Sequence, residues 1–321
     1  MKVSKTQENY YTILGVLAIV FWGTTIAFSR SLAEQLGAIT AASWIYSVSG
    51  ILGSIYLIGV PNGIKKTLQL PVSYLVFCGI LFTSHTVCLY LAIGLAINRE
   101  QVIEVSIINY LWPAITLIFS IPVLGKRARI SLIPGIILAL TGFYLVTVQN
   151  KILSWEGFKE NFQINYFPYI IAFCGAVCWG LYSNLSRHLA SYTEGRAVPL
   201  FLLFAGLILN IIRIIFFKET YWHQGVVLKI LYISIFPTFI GNLFWEKAMQ
   251  KGRITLIVSL SYFIPLLSIT ISSLYLSVAI GINLWIACIL VVLGAIISKF
   301  SIIDVYQKSD FKREISIQNE F

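Results

Sequence analysis

Asn109-Tyr110-Leu111-Trp112-Pro113 interrupts a run of mostly apolar residues that extends over 101–122. A proline inside a helix removes one main-chain hydrogen bond and crowds the turn before it. In a bilayer the carbonyl so released is tolerated only where protein or water satisfies it. An amide, a phenol and an indole around the break do not suit a lipid-facing stripe. They suit a binding site near the midplane of a transporter, where interrupted helices present polar groups to a substrate.

Similar runs lie on both sides of this one. A membrane-spanning helix needs about 20 predominantly apolar residues. Spans are expected near 10–29, 38–60, 72–95, 101–122, 130–149, 166–187, 196–217, 227–247, 254–276 and 281–300. The composition agrees: 58% of residues are hydrophobic and 11% charged, and the mean hydropathy is +0.85. A soluble domain carries about a quarter charged residues. The fold class expected is an all-α polytopic membrane protein with ten transmembrane helices. The first span is too long and too well flanked for a cleaved leader, so it reads as a true helix.

The net charge of +10 does not point to nucleic acid, because of where the charges lie. With the N-terminus inside, sixteen of the 23 Lys and Arg residues fall on cytoplasmic segments, among them Lys65, Lys126, Arg187, Lys247 and Lys299. The other side holds Arg30, Arg99, Lys151, Lys159, Arg213, Lys218 and Lys229. This follows the positive-inside rule and puts both termini in the cytoplasm. The five cysteines all fall inside spans. They read as packing residues, with neither a disulfide framework nor metal-ligand spacing.

The chain repeats itself. Trp22-Gly23, Ser29-Arg30, Leu32 and Ala33 recur as Trp179-Gly180, Ser186-Arg187, Leu189 and Ala190, at an offset of 157. Tyr110, Pro113 and Gly142 recur as Tyr262, Pro265 and Gly294, at an offset of 152. Five spans per repeat is an odd number, so the second copy enters from the opposite side. Such inverted repeats place a substrate site at their interface near the bilayer centre. The expected organisation is a first five-helix repeat over 1–150, a connecting loop over 151–165, a second five-helix repeat over 166–300 and a polar cytoplasmic tail over 301–321.

At these residues the chain resembles the drug/metabolite transporter superfamily of the EamA type. More narrowly it resembles the bacterial YddG-type aromatic amino acid exporters. The matching stretches are Ile103-Glu104-Val105 with Asn109-Tyr110-Leu111-Trp112-Pro113, Ser261-Tyr262-Phe263-x-Pro265, and Trp22-Gly23-Thr24-Thr25 with Ser29-Arg30. The resemblance implies a bacterial inner-membrane protein that exports aromatic amino acids and related amphiphiles from a central cavity lined by aromatic residues. Thr86 departs from the family pattern, in which an acidic residue is common at that position.

The candidate substrate-binding residues follow from the residue types. Tyr110 and Trp112 can stack on an aromatic ligand or hold an ammonium over a ring face. Asn109 can pair with a zwitterion. Trp22 and Trp179 occupy equivalent places in the two halves, each followed by glycine. His85 and Glu104 are ionisable groups inside spans, which makes them functional candidates. Tyr90, Tyr182 and Asn184 are further cavity-lining candidates, and Pro113 and Pro265 mark the helix breaks. The competing reading is helix packing for the aromatic residues and Asn109, a neutral hydrogen-bonded histidine for His85, and an interfacial carboxylate near Arg99 or Arg30 for Glu104.

No catalytic constellation is present, and no glycine-rich phosphate loop with its lysine, so neither an enzyme nor nucleotide-driven transport is expected. His85, His188 and His223 are scattered over different segments. No cofactor, no metal and no obligate protein partner is implied; the expected partners are a small-molecule substrate and membrane lipid. An anionic substrate should require basic groups at mid-depth, and the sequence places none there. The alternatives are a transporter of the same fold for another metabolite or drug (an adenosine-bearing compound, a nucleotide sugar, a cationic drug) and, from another class, a non-transporting membrane receptor or scaffold.

Overall fold

The computed structural model describes residues 4–147, 155–190, 195–216, 225–264, 266–268, 270–271 and 282–303. Ser4 opens helix α1 (Lys5–Leu36) with a reciprocal cap: its hydroxyl accepts from Gln7 N, and the Gln7 side chain accepts from Ser4 N, both at 3.2 Å. At 1.5 Å per residue α1 is about 48 Å long, well beyond the roughly 30 Å hydrocarbon layer of a bilayer. Gly37, at φ 78°, turns the chain straight into α2 (Ala38–Gly59). A short α3 (Gly63–Leu68) precedes a π-helical turn at Tyr74–Cys78, which runs into α4 (Gly79–Gly94). Then come α5 (Arg99–Asn109), α6 (Trp112–Leu124) and α7 (Leu132–Thr147).

The connecting segment, expected as a loop, carries a helix of its own, α8 (Trp155–Ile164). Its helical spacing explains why. Phe158 and Phe162 set their rings 5.6 and 5.4 Å from that of Tyr169, and Asn161 is buried on the same side. The second half holds α9 (Phe167–Ala190), α10 (Val198–Phe216), α11 (Val226–Ile233), a longer π-helical stretch at Ser234–Gly241, α12 (Asn242–Lys251), α13 (Ile254–Leu260) and α14 (Ile282–Ser301). One antiparallel pair of two-residue strands, β1 (Arg127–Ala128) and β2 (Ile302–Ile303), ties the α6–α7 connection to the end of α14.

Six helical stretches among the described residues are long and apolar enough to cross a membrane. They are Ala38–Gly59, Tyr74–Gly94, Arg99–Leu124, Phe167–Ala190, Val198–Phe216 and Val226–Lys251, with shorter apolar helices over Leu132–Gly142 and Ile289–Ser301. Large apolar side chains on their outer faces are left open: Ile55 and Ile58 on α2, and Phe204, Leu207 and Ile214 on α10 are all exposed. Water would penalise so large an apolar surface; lipid does not. The chain is an all-α membrane protein.

The principal packing partners all join a helix before residue 148 to one after residue 166: α2 with α10, α7 with α14, α4 and α6 with α9, and α1 with α12. Neither half is a separate packing unit. Helices α4, α5 and α6 pack on α9, and α11, α12 and α13 pack on α1; the α9 group and the α1 group meet where α12 packs on α9.

Candidate functional site

The helix break fixes the position of Trp112. Helix α5 ends at Asn109 and α6 begins at Trp112, with Tyr110 and Leu111 as the turn between them. Leu111 N bonds Ile108 O at 3.1 Å, a tightened last turn, and regular spacing resumes with Ile115 N to Leu111 O at 3.0 Å. Pro113 takes the second position of α6, where a missing N–H costs no helix bond.

Four indoles meet beside this break. Trp22 of α1, Trp112 of α6, Trp179 of α9 and Trp245 of α12 each lie within 6.4 Å, centroid to centroid, of the other three. Four of the six pairs are edge-on, an arrangement that ring quadrupoles favour, and the other two are tilted. Holding a flat aromatic ligand between two rings needs roughly 7 Å, twice the contact distance of 3.5 Å. In this conformation the rings fill that space themselves. The His85 ring lies 4.6 Å from Trp179, and Tyr182 lies 5.2 Å from it. Tyr110 packs against the larger apolar core that contains Trp112, Trp179 and Trp245.

Polar anchors orient some of these rings. Trp22 Nε1 donates to Pro237 O at 3.0 Å, within the π-helical stretch where that helix is loosened. Trp245 Nε1 donates to Ser183 Oγ at 3.3 Å. His85 Nδ1 lies 2.9 Å from Gly175 O; since a carbonyl only accepts, Nδ1 carries the proton. By contrast, the buried Trp179 Nε1 and Asn109 Oδ1 have no hydrogen-bond partner among the described residues. Each buried polar atom left unmet carries a desolvation cost of about 1–3 kcal/mol; at Trp179, a cage residue, a polar ligand can relieve it.

Close helix approach holds the cage together. A Cβ on Gly180 would meet Ile115 Cγ2 at 2.7 Å and Thr116 N at 3.1 Å. A Cβ on Gly23 would meet Leu267 Cβ at 2.9 Å. Asn184 lies outside the cage and braces this crossing, donating to Thr116 O at 2.9 Å and to Gly180 O at 2.8 Å.

Other candidates fall elsewhere. The Tyr90 ring faces Tyr46 of α2 at 5.9 Å. Glu104 sits at the α8 side of the bundle, where it accepts from Asn161 Nδ2 at 3.3 Å and from the Tyr169 hydroxyl. It pins α5 to α8 and α9, away from the tryptophans. Pro265 lies outside the described residues.

Two residues escaped the sequence reading, Trp245 and Glu246. To His85 and Glu104, the ionisable groups expected inside spans, the structure adds Glu246, which is 0% exposed. Its Oε1 accepts from Tyr74 Oη and Ser186 Oγ at 2.5 Å and from Gln250 Nε2 at 2.8 Å; its Oε2 accepts from Tyr182 Oη at 2.5 Å. The signal was present in the helical spacing. Asn242, Trp245, Glu246, Met249 and Gln250 form one buried face of α12. The neighbouring Lys247 draws attention to the helix end instead.

Family models place this architecture. The model of the EamA-like transporter family matches residues 9–148 and again 166–300. The chain belongs to the EamA-like transporter family. Among curated relatives, this EamA-like transporter is 30% identical over 287 residues to the aromatic amino acid exporter YddG of Escherichia coli (strain K12), covering 89% of this chain and 95% of that one. It is 29% identical over 286 residues to the protein of the same name in Salmonella typhimurium, with the same coverage. At 28% it is similar to the YddG exporter of Ancylobacter novellus, over 89% of this chain and 96% of that one. A solved crystal structure superposes with a TM-score of 0.75 at 24% identity, covering 90% of this chain and 97% of the other. That likeness is one of fold.

Proposed function

We propose that this chain is a secondary transporter of the bacterial inner membrane that exports, or lets pass, aromatic amino acids and similar amphiphiles by alternating access. The observation that carries this reading is the four-tryptophan cage. Trp112 and Trp179 stand on the α9 group and Trp22 and Trp245 on the α1 group, so parting the two groups opens the cage. Rings of this kind recognise an aromatic side chain by stacking and by burying its area. The YddG exporters to which the chain is similar carry aromatic amino acids by name.

The architecture proposed is ten helices in two inverted five-helix repeats, with both termini cytoplasmic. Two mirrored contacts support it. Gly23 packs on Leu267 and Gly180 packs on Ile115; the glycines are related by the repeat offset of 157 and their partners by the offset of 152. The matched family segments divide the chain at the same place. The moving bodies are then the α9 and α1 groups rather than the two sequence halves, because every major packing pair mixes the halves.

The test is efflux of radiolabelled tryptophan, phenylalanine and threonine from proteoliposomes. Tryptophan and phenylalanine should cross well above the rate in protein-free vesicles. Flux confined to a nucleoside, a nucleotide sugar or a cationic drug would move the chain to another substrate of the same fold. No flux of any of these compounds would favour a receptor.

A further inference from the structure

We propose that Glu246 is the subsite for the protonated amine of the transported molecule. This rests on the amino acid reading above and extends it to the charged end of the substrate.

Glu246 is the buried carboxylate nearest the cage, and it has no cationic partner among the described residues. All four of its hydrogen-bond donors are neutral: Tyr74, Ser186 and Gln250 on Oε1, Tyr182 on Oε2. Among the described residues no Lys, Arg or His lies within ion-pair distance of it. Arg187 donates instead to the main-chain oxygens of Met249 and Gly252, at 3.2 and 2.6 Å, and the Lys251 ammonium sits over the Tyr11 ring. A buried carboxyl group is normally either paired with a cation or held neutral. Glu246 sits beside the proposed substrate site with only neutral donors against it among the described residues, so a substrate ammonium can serve as its charged partner.

The direction of the carboxylate supports the assignment. Oε1 is saturated by three donors, whereas Oε2 has one and keeps acceptor capacity. That one donor, Tyr182, also belongs to the cage, its ring 5.2 Å from Trp179 and 5.4 Å from Phe82. Trp245, the preceding residue, is itself one of the four cage indoles. An amine held at Glu246 leaves its attached ring within reach of the tryptophans.

The cycle also calls for a cation here. Tyr74, Tyr182 and Ser186 belong to the α9 group, while Glu246 and Gln250 belong to the α1 group. When the groups part at this end, the carboxylate loses three of its four donors and keeps Gln250. A primary ammonium brings three N–H donors and a positive charge. It replaces what the separation removes.

The experiment measures equilibrium binding of labelled tryptophan, tryptamine (amine without carboxylate) and indole-3-propionate (carboxylate without amine) to purified protein. Glu246→Gln is nearly isosteric. Its carbonyl can keep Tyr74, Ser186 and Gln250, and its amide can donate to the Tyr182 oxygen, so the fold is expected to survive. Tryptophan and tryptamine should bind about thirtyfold more weakly or worse, indole-3-propionate should bind as to the parent protein, and Glu246→Asp should recover part of the loss. The proposal is overturned if Glu246→Gln binds tryptamine as tightly as the parent. It is also overturned if all three ligands weaken equally as the unfolding midpoint falls, which makes Glu246 a latch between helices. Unchanged binding with a lost response of flux to a proton gradient would make it a proton carrier and overturn the proposal too. If the parent protein binds no tryptophan, the amino acid reading itself fails, a result separable from all of these.

Discussion

Trp112 of α6 meets Trp245 of α12 edge-on, with ring centroids 5.3 Å apart and ring planes at 86°. The two residues come from different halves of the chain and from different helix groups. Their contact closes the cage in this conformation, so the rings proposed to receive a substrate pack on one another across the two groups.

Replacing Trp112 with alanine should weaken aromatic substrates selectively. Burying an aromatic side chain is worth roughly 1.5–3 kcal/mol, and each 1.4 kcal/mol lost is about tenfold in affinity. Tryptophan and phenylalanine flux should fall by about that factor, with threonine less affected. Tyr110→Phe keeps the ring and should cost less than Tyr110→Ala. An equal fall for every substrate, with less folded protein in the membrane, would mark these rings as packing.

Gly23→Ala and Gly180→Ala should each destabilise the fold. The added methyl would meet Leu267 at 2.9 Å in one case and Ile115 at 2.7 Å in the other. Overpacking of this kind costs typically about 1–3 kcal/mol. Thermal unfolding in detergent should show both midpoints lowered. If only one moved, the two crossings would not be equivalent.

Tyr169→Phe should lower stability and leave selectivity alone. It removes a donor from the buried Glu104, and a buried acceptor left short of partners costs about 1–3 kcal/mol. The readouts are the unfolding midpoint and the tryptophan-to-threonine flux ratio. A changed ratio would place Glu104 in the substrate path.

Tryptophan flux should depend weakly on a proton gradient through the third span. His85 is tied through Nδ1 to Gly175 O, and the Thr86 hydroxyl donates to Phe82 O at 3.0 Å. Flux with and without a gradient, in the parent and in His85→Gln, gives the answer. Loss of a strong pH-dependent flux in His85→Gln, with binding intact, would contradict this expectation.

Orientation can be checked by labelling in intact cells. Cysteines introduced at Ser4 and at Gln318 should be shielded from an impermeant thiol reagent, and one at Glu156 should react. Reaction of either terminal cysteine from outside would reverse the proposed topology.

The sequence by itself determined the long apolar runs, the interruption at Asn109–Pro113 and the offset that sets Trp22-Gly23 against Trp179-Gly180. These features are local. Hydrocarbon thickness and the need to satisfy main-chain groups act over about twenty consecutive residues, and a repeat offset is visible in one dimension. Only the tertiary structure decided that Trp245 completes the cage, that Glu246 collects Tyr74, Tyr182 and Ser186, and that Glu104 is held at the α8 side with Asn161 and Tyr169. Those pairings depend on how each helix is rotated about its axis. That rotation is set where glycines such as Gly180 let backbones approach, between residues far apart in the chain. Helical spacing shows that Glu246 and Gln250 share a face of α12; which neighbours that face meets is a property of the packed bundle.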